Sequence, residues 1–272
     1  MNHMVTEGNN VTEVTYQVLK KLQDIGSRIS SRNGETLELS PHTVVIKGNS
    51  SPYTVLKHRN NNVFATVAET LWVWAGRNDV GSLSQWLPRA KEYSDDWAES
   101  TQMGTWRAGY GPRVRSWPSS YKSCDIDQLD VVIKRLLKDR NSRQALMAIY
   151  DPGRDSIPVT KDYPCNLVVH FLIRDDKLNM HTYLRSNDVI FGFCINAFEW
   201  MFIWDFIATQ LGVECGNYYH TASSLHLYDW KNSTARQITD CKDNASTLEI
   251  LNNNNSKFKA MGTSDLKIEC NQ

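Results

Sequence analysis

Apolar residues recur at helical spacing in three parts of the chain and predict three amphipathic helices. The first is predicted over residues 11–25, with Gly26 as its C-terminal stop. The second runs from about Val63 to Trp74, and the third covers residues 126–138. The side chains expected on the buried faces are Val11, Val14, Val18, Leu22 and Ile25, then Val63, Val67, Leu71 and Trp74, then Ile126, Leu129, Ile133 and Leu137.

Alternating apolar and polar positions predict strands in the second half of the chain. Residues 167–173 and 178–184 alternate on either side of the polar segment 174–177, which indicates a hairpin. Shorter strands are predicted at residues 43–47, 218–221 and 225–228.

The remaining pattern bears on the core and on the ends of the chain. Residues 198–211 are apolar on nearly every side, which predicts a buried helix. After residue 242 the pattern weakens, and residues 252–255 are predicted to form a loop or a frayed segment. We therefore expect one α+β domain over residues 1–272, with residues 1–10 and about 242–272 loosely ordered or divergent.

Charge and cysteine content exclude several classes of protein. Lys+Arg and Asp+Glu are both 30, so no global field favours nucleic acid or a membrane surface. The six cysteines are scattered without a C-x-x-C pair, which argues against a zinc site or a secreted disulfide scaffold. The polar N-terminus lacks the apolar core of a signal peptide, and Asn196, Glu199 and Asp205 interrupt the best apolar run. A reduced, cytoplasmic protein without a membrane span is the expectation.

The candidate chemistry centres on three short segments, residues 163–166 (Tyr-Pro-Cys-Asn), 185–188 (Arg-Ser-Asn-Asp) and 224–228 (Ser-Leu-His-Leu-Tyr). Each is weak by itself, since a lone cysteine before a strand is more often an inert packed thiol. The segment 185–188 is equally typical of an ordinary polar turn. The two side chains of a His-x-Tyr strand often only make hydrogen bonds within the protein core. Their order and spacing, however, resemble the thymidylate synthase superfamily, whose members share Pro-Cys, Arg-Ser-x-Asp and His-x-Tyr.

Further segments resemble blocks of the same superfamily, and together they cover roughly residues 30–230. These are Arg32-Asn33-Gly34, Glu69-Thr70-Leu71-Trp72, Asp95-Asp96-Trp97, Gly109-Tyr110-Gly111 and Asn141-Ser142-Arg143. The resemblance implies a three-layer α+β fold in which helices flank a mixed β-sheet. It also implies a homodimer packed sheet against sheet.

The resemblance implies covalent catalysis on a pyrimidine nucleoside monophosphate. Cys165 would add to carbon 6 and make carbon 5 nucleophilic towards a one-carbon unit from 5,10-methylenetetrahydrofolate, with no metal. A nearby cation has to lower the pKa of the thiol, and Arg185 is the candidate. Glu69 and Tyr110 would move protons through ordered water.

The resemblance also implies how the two substrates are held. Guanidinium groups donate paired hydrogen bonds to phosphate oxygens, which suits the phosphate site. The implied phosphate ligands are Arg32, Arg185 and Ser186, with Arg143 contributed by a second subunit. The implied sugar ligands are His226 and Tyr228, and the implied folate contacts are Trp97 and Asp188, the latter also counted among the catalytic residues.

Asn196 bears on the choice of base. An amide at this position of the superfamily matches the adjacent carbonyl and N–H of uracil. The cytosine-specific hydroxymethylases of the superfamily resemble this chain over residues 185–193 but carry an aspartate at that position. A structural alternative is that Asn196 caps the N-terminus of a helix. A uracil nucleotide is favoured, while cytosine as the base and ribose as the sugar remain open.

Several positions depart from the synthase pattern, namely Ser94, Gln144, Asn166 and Leu184. Ser94 replaces a tryptophan and would admit water to a reactive exocyclic methylene, and the C-terminal tail lacks the usual apolar closing segment. Both observations favour a hydroxymethylase. The alternatives are a divergent thymidylate synthase, a (d)CMP hydroxymethylase, and a catalytically silent nucleotide-binding homologue, which Gln144 and Asn166 would suit.

Overall fold

The computed structural model describes residues 4–48, 50–119, 124–157 and 159–254. The strands are β1 (Val5–Gly8), β2 (Ser27–Ser31), β3 (Gly34–Leu39), β4 (His42–Lys47), β5 (Leu146–Ala148), β6 (Asn166–Arg174), β7 (Lys177–Leu184), β8 (Asn187–Asp188), β9 (Glu214–Ala222) and β10 (Leu225–Tyr228). The helices are α1 (Val11–Ile25), α2 (Val63–Trp74), α3 (Val80–Leu83), α4 (Tyr110–Arg115), α5 (Gln128–Lys138), α6 (Pro152–Asp155), α7 (Cys194–Leu211), α8 (Asn232–Asp240) and α9 (Lys242–Asn254). Short 3₁₀ helices cover Pro88–Tyr93 and Asp229–Lys231, and a π-helical turn, Val189–Phe193, leads into α7.

The strands form two sheets where the sequence predicted one. The six-stranded sheet has the order β1-β4-β9-β7-β6-β5, and the four-stranded sheet has the order β2-β3-β10-β8. Both are mixed, because β1 runs parallel to β4, β7 parallel to β9, and β8 parallel to β10, while the other pairs are antiparallel. Of the four-stranded sheet the sequence predicted only β10, and not β2, β3 or the two-residue strand β8, so the second sheet was not foreseen.

Helices α1 and α7 cover the inner face of the six-stranded sheet. Asn10 caps α1 by accepting a 2.9 Å hydrogen bond from the Glu13 N–H. Helix α7 is apolar nearly all round, as the sequence predicted, and its Trp200 and Trp204 are 0% and 1% exposed. Complete burial of one large apolar side chain stabilises a fold by about 1.5–3 kcal/mol, so α7 is a major source of stability.

The predicted helices are present, but some of their predicted buried positions are wrong. The bounds of α2 agree with the prediction, yet Leu71 is 50% exposed while Trp72 beside it is buried. In α5 the buried residue of the last turn is Leu136, and Leu137 is 61% exposed. Neighbouring residues lie only 100° apart around a helix, so an apolar stripe wider than the buried face leaves its edge ambiguous.

The predicted hairpin is confirmed as β6 and β7, joined by the turn at Asp175 and Asp176. Both turn residues have positive φ, 51° and 56°, a conformation that aspartate tolerates better than most residues. Val169 and Phe171 on β6 point inward and are 0% exposed. The alternate residues of the hairpin point to the other face of the sheet.

Both ends of the described chain are more ordered than the sequence suggested. Val5–Gly8 forms β1 and pairs with β4, so this part of residues 1–10 belongs to the sheet. Residues 252–254, expected to be a loop, continue α9. Asn255 and the remainder of the predicted divergent tail lie outside the described residues.

One helical stretch, Val189–Leu211, is long and apolar enough to span a membrane. The prediction that Asn196, Glu199 and Asp205 break the apolar run short of a membrane span was therefore wrong. In the structure 61% of its most apolar window is buried inside the fold. The core helix of a globular domain meets the same criteria of length and composition, so this helix is weak evidence for a membrane location. The cytoplasmic location stays a prediction.

A buried ion pair joins α4 to α6. Arg113 and Asp155 have side chains that are both 0% exposed, and their two hydrogen bonds are 2.6 and 2.7 Å long. Arg107 adds a third hydrogen bond of 2.8 Å to Asp155 and also reaches the backbone of Asp162. The pair therefore fastens α4 to the loop that leads into β6.

We expect Asp155→Ala to lower the free energy of unfolding by about 3–5 kcal/mol, because it leaves the Arg113 guanidinium buried and unpaired. Urea unfolding followed by circular dichroism measures this change. Arg28→Ala is the matched control, since Arg28 pairs with Asp229 at the surface, and its cost should stay within about 1 kcal/mol. Equal losses in the two variants would contradict the assignment.

Candidate active site

The β6–β7 hairpin brings the predicted nucleophile and the predicted cation together. Cys165 directly precedes β6 and Arg185 directly follows β7, so the antiparallel pairing places them side by side. The Arg185 N–H donates to the Cys165 carbonyl at 2.9 Å, and its Nη2 lies 3.7 Å from Cys165 Sγ. The guanidinium is held by the carbonyls of Tyr163 and Pro164 and covers the Tyr163 ring. The sequence separation of Cys165 and Arg185 is thus the length of the hairpin.

The electrostatics of Cys165 differ from the prediction. Burial raises the pKa of the Cys165 thiol, Arg185 opposes this increase, and the nearby Asp162 carboxylate adds to it. The net shift in the pKa of Cys165 is upward, whereas the predicted mechanism requires a lowered pKa. The reason is that desolvation of the thiolate outweighs a single guanidinium at this distance. Arg185 therefore lessens the cost of ionising a thiol that is protonated at neutral pH.

Helix α4 brings Tyr110 to the nucleophile, and helix α2 places Glu69 near Glu199 of α7. The Tyr110 hydroxyl accepts a 3.3 Å hydrogen bond from the Asn166 N–H, one residue after Cys165. The Tyr110 ring stacks on Trp200 of α7 at 5.9 Å. Gly111 is required behind it, because a Cβ there would lie 2.3 Å from the Arg77 carbonyl oxygen. Burial, and then the proximity of Cys165, raises the pKa of the Tyr110 phenol.

Glu69 is paired electrostatically with a carboxyl that the sequence analysis did not select. Burial raises the pKa of Glu69 to about 7. Glu199, on the facing helix α7, is 1% exposed, and burial together with the charge of Glu69 raises its pKa further. Two close carboxyls in a dry site do not both ionise, so one of them holds a proton at neutral pH. In the sequence, Glu199 could have been recognised as a site residue because it is a glutamate within the apolar run of residues 198–211.

The side-chain amide of Asn166 is another buried polar group beside Cys165. Asn166 is 0% exposed, and within the described chain neither its Oδ1 nor its Nδ2 has a hydrogen-bond partner. Glu199 Oε1 is likewise buried without a partner among those residues. Buried polar atoms of this kind are costly unless a ligand or an ordered water satisfies them. They therefore mark a polar site beside the nucleophile.

The four-stranded sheet gathers the residues predicted to bind the sugar and phosphate. β10 pairs with β8, which sets His226 opposite Asp188, and with β3, which sets Tyr228 opposite Thr36. His226 and Tyr228 lie on one face with ring centroids 4.9 Å apart. Arg32, in the tight β2–β3 connection, donates to the Thr160 carbonyl at 3.4 Å and so reaches the loop before Cys165. Ser186 lies between β7 and β8.

The residues predicted to contact folate lie on separate elements. Asp188 Oδ1 caps the π-helical turn by accepting from the N–H groups of Ile190 and Phe191 at 2.7 and 3.0 Å. No donor among the described residues reaches its Oδ2. Burial raises the pKa of Asp188, while the backbone N–H of Phe191 and the charge of His226 oppose the increase. Trp97 packs on the same apolar cluster as Tyr110, and its indole N–H donates to Glu99 at 2.9 Å.

Ser94 does not line an opening for water. It is 3% exposed, and its hydroxyl lies 2.8 Å from both Asp96 Oδ1 and the Thr105 carbonyl oxygen. The Ser94 hydroxyl therefore stabilises the loop that contains it through these two hydrogen bonds. The position of the Ser94 hydroxyl therefore gives no support to the prediction that this residue admits water to the intermediate.

Asn196 lies within α7, so the alternative that it caps the helix was wrong, because Phe193 occupies the N-cap position. Its Oδ1 accepts a 3.0 Å hydrogen bond from Asn187 Nδ2. Asn187, at the variable position of Arg-Ser-x-Asp, was not selected from the sequence. Among the described residues Asn196 Nδ2 makes no hydrogen bond, so this amide donor is available.

Arg143 lies away from the rest of the site. Its carbonyl oxygen contacts His170 Nε2 at 3.1 Å, and His170 lies five residues beyond Cys165 on β6, roughly 17 Å at the rise of a strand. Arg143 itself is exposed on a cleft beside Arg135 and Lys138. Within one chain the backbone of Arg143 therefore lies well away from Cys165.

Neither a metal centre nor a disulfide is found among the described residues. No group of three or more His, Cys, Asp or Glu side chains there is arranged to hold a metal ion. The cysteines within the described ranges are free thiols, and Cys270 lies outside them.

The chain is similar to known proteins over most of its length. Residues 15–271 match the family model described as thymidylate synthase. Three phage proteins named deoxyuridylate hydroxymethyltransferase are similar to it. The protein of Bacillus phage SP01 is 37% identical over 81% of this chain and 58% of its own length. That of Delftia phage PhiW-14 is 31% identical over 82% and 62%, and that of Pseudomonas phage M6 is 30% identical over 89% and 67%.

The chain thus spans about three fifths of the length of the first two of these relatives. The family model, in contrast, extends over nearly the whole chain and includes every candidate site residue named above. The chain belongs to the thymidylate synthase family.

Proposed function

We propose that this chain transfers a one-carbon unit to carbon 5 of a pyrimidine nucleoside monophosphate, and that it is a deoxyuridylate hydroxymethylase. The observation that carries the proposal is the 3.7 Å approach of Arg185 Nη2 to Cys165 Sγ beside the Tyr110 hydroxyl. The names of the three phage relatives support the hydroxymethyl product and the uracil base. The buried polar groups around Cys165 argue against a silent nucleotide-binding homologue.

In the proposed reaction Cys165 Sγ bonds to carbon 6 of the ring, and negative charge develops on the oxygen at carbon 4. Arg185 binds the nucleotide phosphate and also stabilises the Cys165 thiolate that attacks the ring. Glu69, whose pKa is raised to about 7 by burial, donates a proton towards the developing charge. The Tyr110 phenol, whose pKa is raised by burial, stays protonated and orients a water that carries the carbon 5 proton to the Glu69 carboxylate left by the first transfer.

Two of the predicted site residues also suit a folate co-substrate. Asp188 Oδ2 is an acceptor for an N–H of a pterin ring, and Trp97 presents an aromatic surface on the cluster shared with Tyr110. When bound, methylenetetrahydrofolate supplies the one-carbon unit. Addition of water to the resulting exocyclic methylene gives the hydroxymethyl product, whereas hydride transfer would give a methyl group.

A homodimer that shares the phosphate site is part of the proposal. The outer face of the six-stranded sheet carries half-exposed apolar and aromatic side chains, and Tyr183 is 41% exposed there. His181 on this face stacks on Tyr219 at 4.4 Å. A second copy packed on this face would bury it, and Arg143 at the sheet edge would then reach towards the partner's phosphate site. The distance of Arg143 from Cys165 in its own chain supports this arrangement.

The test is product analysis with the four monophosphates dUMP, UMP, dCMP and CMP, each with methylenetetrahydrofolate. We expect mass spectrometry to detect 5-hydroxymethyl-dUMP together with tetrahydrofolate. Formation of dihydrofolate and a methylated base would identify a divergent synthase, and a hydroxymethylated dCMP would identify the cytosine enzyme. Absence of tritium release from every 5-tritiated substrate would exclude one-carbon transfer altogether.

A further inference from the structure

A chain of buried hydrogen bonds leads from β9 to Asn196. The Tyr218 hydroxyl lies 2.7 Å from His220 Nδ1, and His220 Nε2 lies 3.0 Å from Asn187 Oδ1. Asn187 Nδ2 then donates to Asn196 Oδ1 at 3.0 Å. Tyr218 and His220 are 0% exposed and Asn187 is 4% exposed, so this chain of contacts is shielded from solvent up to its last member.

The surrounding structure fixes the position of each member. The Phe193 ring contacts the His220 ring edge to face at 4.9 Å, and the Thr182 hydroxyl lies 3.2 Å from His220 Nδ1. Gly192 admits Asn187 to the start of α7, because a Cβ at residue 192 would lie 2.9 Å from Asn187 Nδ2. The chain therefore has little freedom to rearrange other than by reversing the sense of its hydrogen bonds.

The sense of the hydrogen bonds follows from the donors available. Burial lowers the pKa of His220 to about 3, so its imidazole is neutral and has one donor and one acceptor. The Tyr218 phenol donates to Nδ1, since a phenol oxygen is a better donor than acceptor. The proton of the imidazole is then on Nε2 and is donated to Asn187 Oδ1, which leaves Asn187 Nδ2 to donate to Asn196.

This sense determines what Asn196 presents to a ligand. With Oδ1 already accepting from Asn187, the amide keeps its Nδ2 donor and one remaining lone pair on Oδ1. Uracil offers a carbonyl acceptor at carbon 4 and an N–H donor at position 3, which match these two groups. Cytosine offers an amino donor and a bare ring nitrogen, which match the reversed amide.

We propose that Tyr218, His220 and Asn187 are positioning residues that select uracil over cytosine by fixing which end of the Asn196 amide faces the base. The inference rests on the proposed function, because it requires a pyrimidine at Asn196. It adds that Asn196 alone does not encode the base: an asparagine there is compatible with either base until its neighbour fixes its orientation.

Asn187→Asp is the sharpest test, because a carboxylate only accepts hydrogen bonds. It would accept from His220 Nε2 and from Asn196 Nδ2, and so turn Asn196 Oδ1 towards the base. We expect the ratio of kcat/KM for dUMP to that for dCMP to fall by about 10- to 100-fold. Tritium release from each 5-tritiated nucleotide measures the ratio, and calorimetric Kd values for the two nucleotides check it without turnover.

Tyr218→Phe is the second variant, since it removes the nearer of the two hydroxyls beside His220 Nδ1, at 2.7 Å against 3.2 Å for Thr182, and adds no charge. The ratio should fall by about 3- to 10-fold, with circular dichroism matching the parent. Tyr16→Phe is the control, because it removes a hydroxyl that donates to the Thr239 carbonyl in another part of the fold. Its ratio should stay within about twofold of the parent.

The outcomes separate this inference from the proposed function. If both variants keep the parent ratio while kcat falls equally for the two nucleotides, these residues are only structural and the inference is wrong. If Asn187→Asp does not fold, Tyr218→Phe decides by the same criterion. If the unsubstituted protein prefers dCMP to dUMP, the inference about base selection is wrong, while the proposed one-carbon transfer still holds. A parent that releases tritium from no pyrimidine nucleotide would overturn the proposed function itself.

Discussion

Cys165→Ser is expected to lower kcat for tritium release by at least about 10³-fold, because a serine hydroxyl is far harder to ionise than a thiol and forms no comparable adduct. The side chain keeps its shape and its neighbours, including the Arg185 guanidinium 3.7 Å from the sulfur. Binding of dUMP by calorimetry should therefore change little. This combination, retained binding with lost turnover, is what distinguishes a nucleophile from a residue that shapes the pocket.

Cys124→Ser is the matched control for this variant, since Cys124 is an exposed free thiol outside the site. Its turnover should equal that of the parent. Parent-like turnover in Cys165→Ser would remove the covalent step from the mechanism, even if the products were those proposed.

Glu69→Gln is expected to lower kcat/KM by about 10²- to 10⁴-fold, the usual contribution of a positioned general acid. The parent should also show a characteristic pH dependence. Burial raises the pKa of Glu69 to about 7, so the protonated, donating form predominates below that pH and is lost as the pH rises through it. The parent profile should decline on the alkaline side near pH 7, and Glu69→Gln should lack that decline.

Glu199→Gln provides the comparison, because Glu199 faces Glu69 and its pKa is raised further by burial and by the charge of Glu69. The substitution replaces a carboxyl whose pKa is raised by burial with a neutral amide of the same shape. The decline near pH 7 should persist in this variant. Loss of the decline in Glu199→Gln but not in Glu69→Gln would reassign the titrating group to Glu199.

Much of the fold that positions the nucleophile was predictable from the sequence. The alternation of residues 167–173 and 178–184 predicted the β6–β7 hairpin, and the structure confirms it. Once the hairpin exists, the meeting of Cys165 and Arg185 follows from geometry, because antiparallel strands of similar length return the chain to its starting point. Local pattern was sufficient here because the contact lies within a single hairpin.

Other features of the site depend on contacts between distant segments, and no local pattern reports them. Asn187 and His220 are 33 positions apart and meet only because β9 passes beside the short segment before α7. The net rise in the pKa of Cys165 likewise depends on burial by the whole fold. Glu199 was visible as a charge within an apolar helix, but its pairing with Glu69 required the packing of α2 against α7.

The β6–β7 hairpin also has a consequence for how relatives of this chain can diverge. Cys165 and Arg185 lie at its open end, while Asp175 and Asp176 form an exposed turn at the other. Extra residues at that turn lengthen the hairpin tip without altering the reacting groups. Loss of one residue inside either strand would reverse which face each subsequent side chain occupies and separate sulfur from guanidinium. Insertions and deletions in homologous chains should therefore accumulate at the tip, with the strands constant in length.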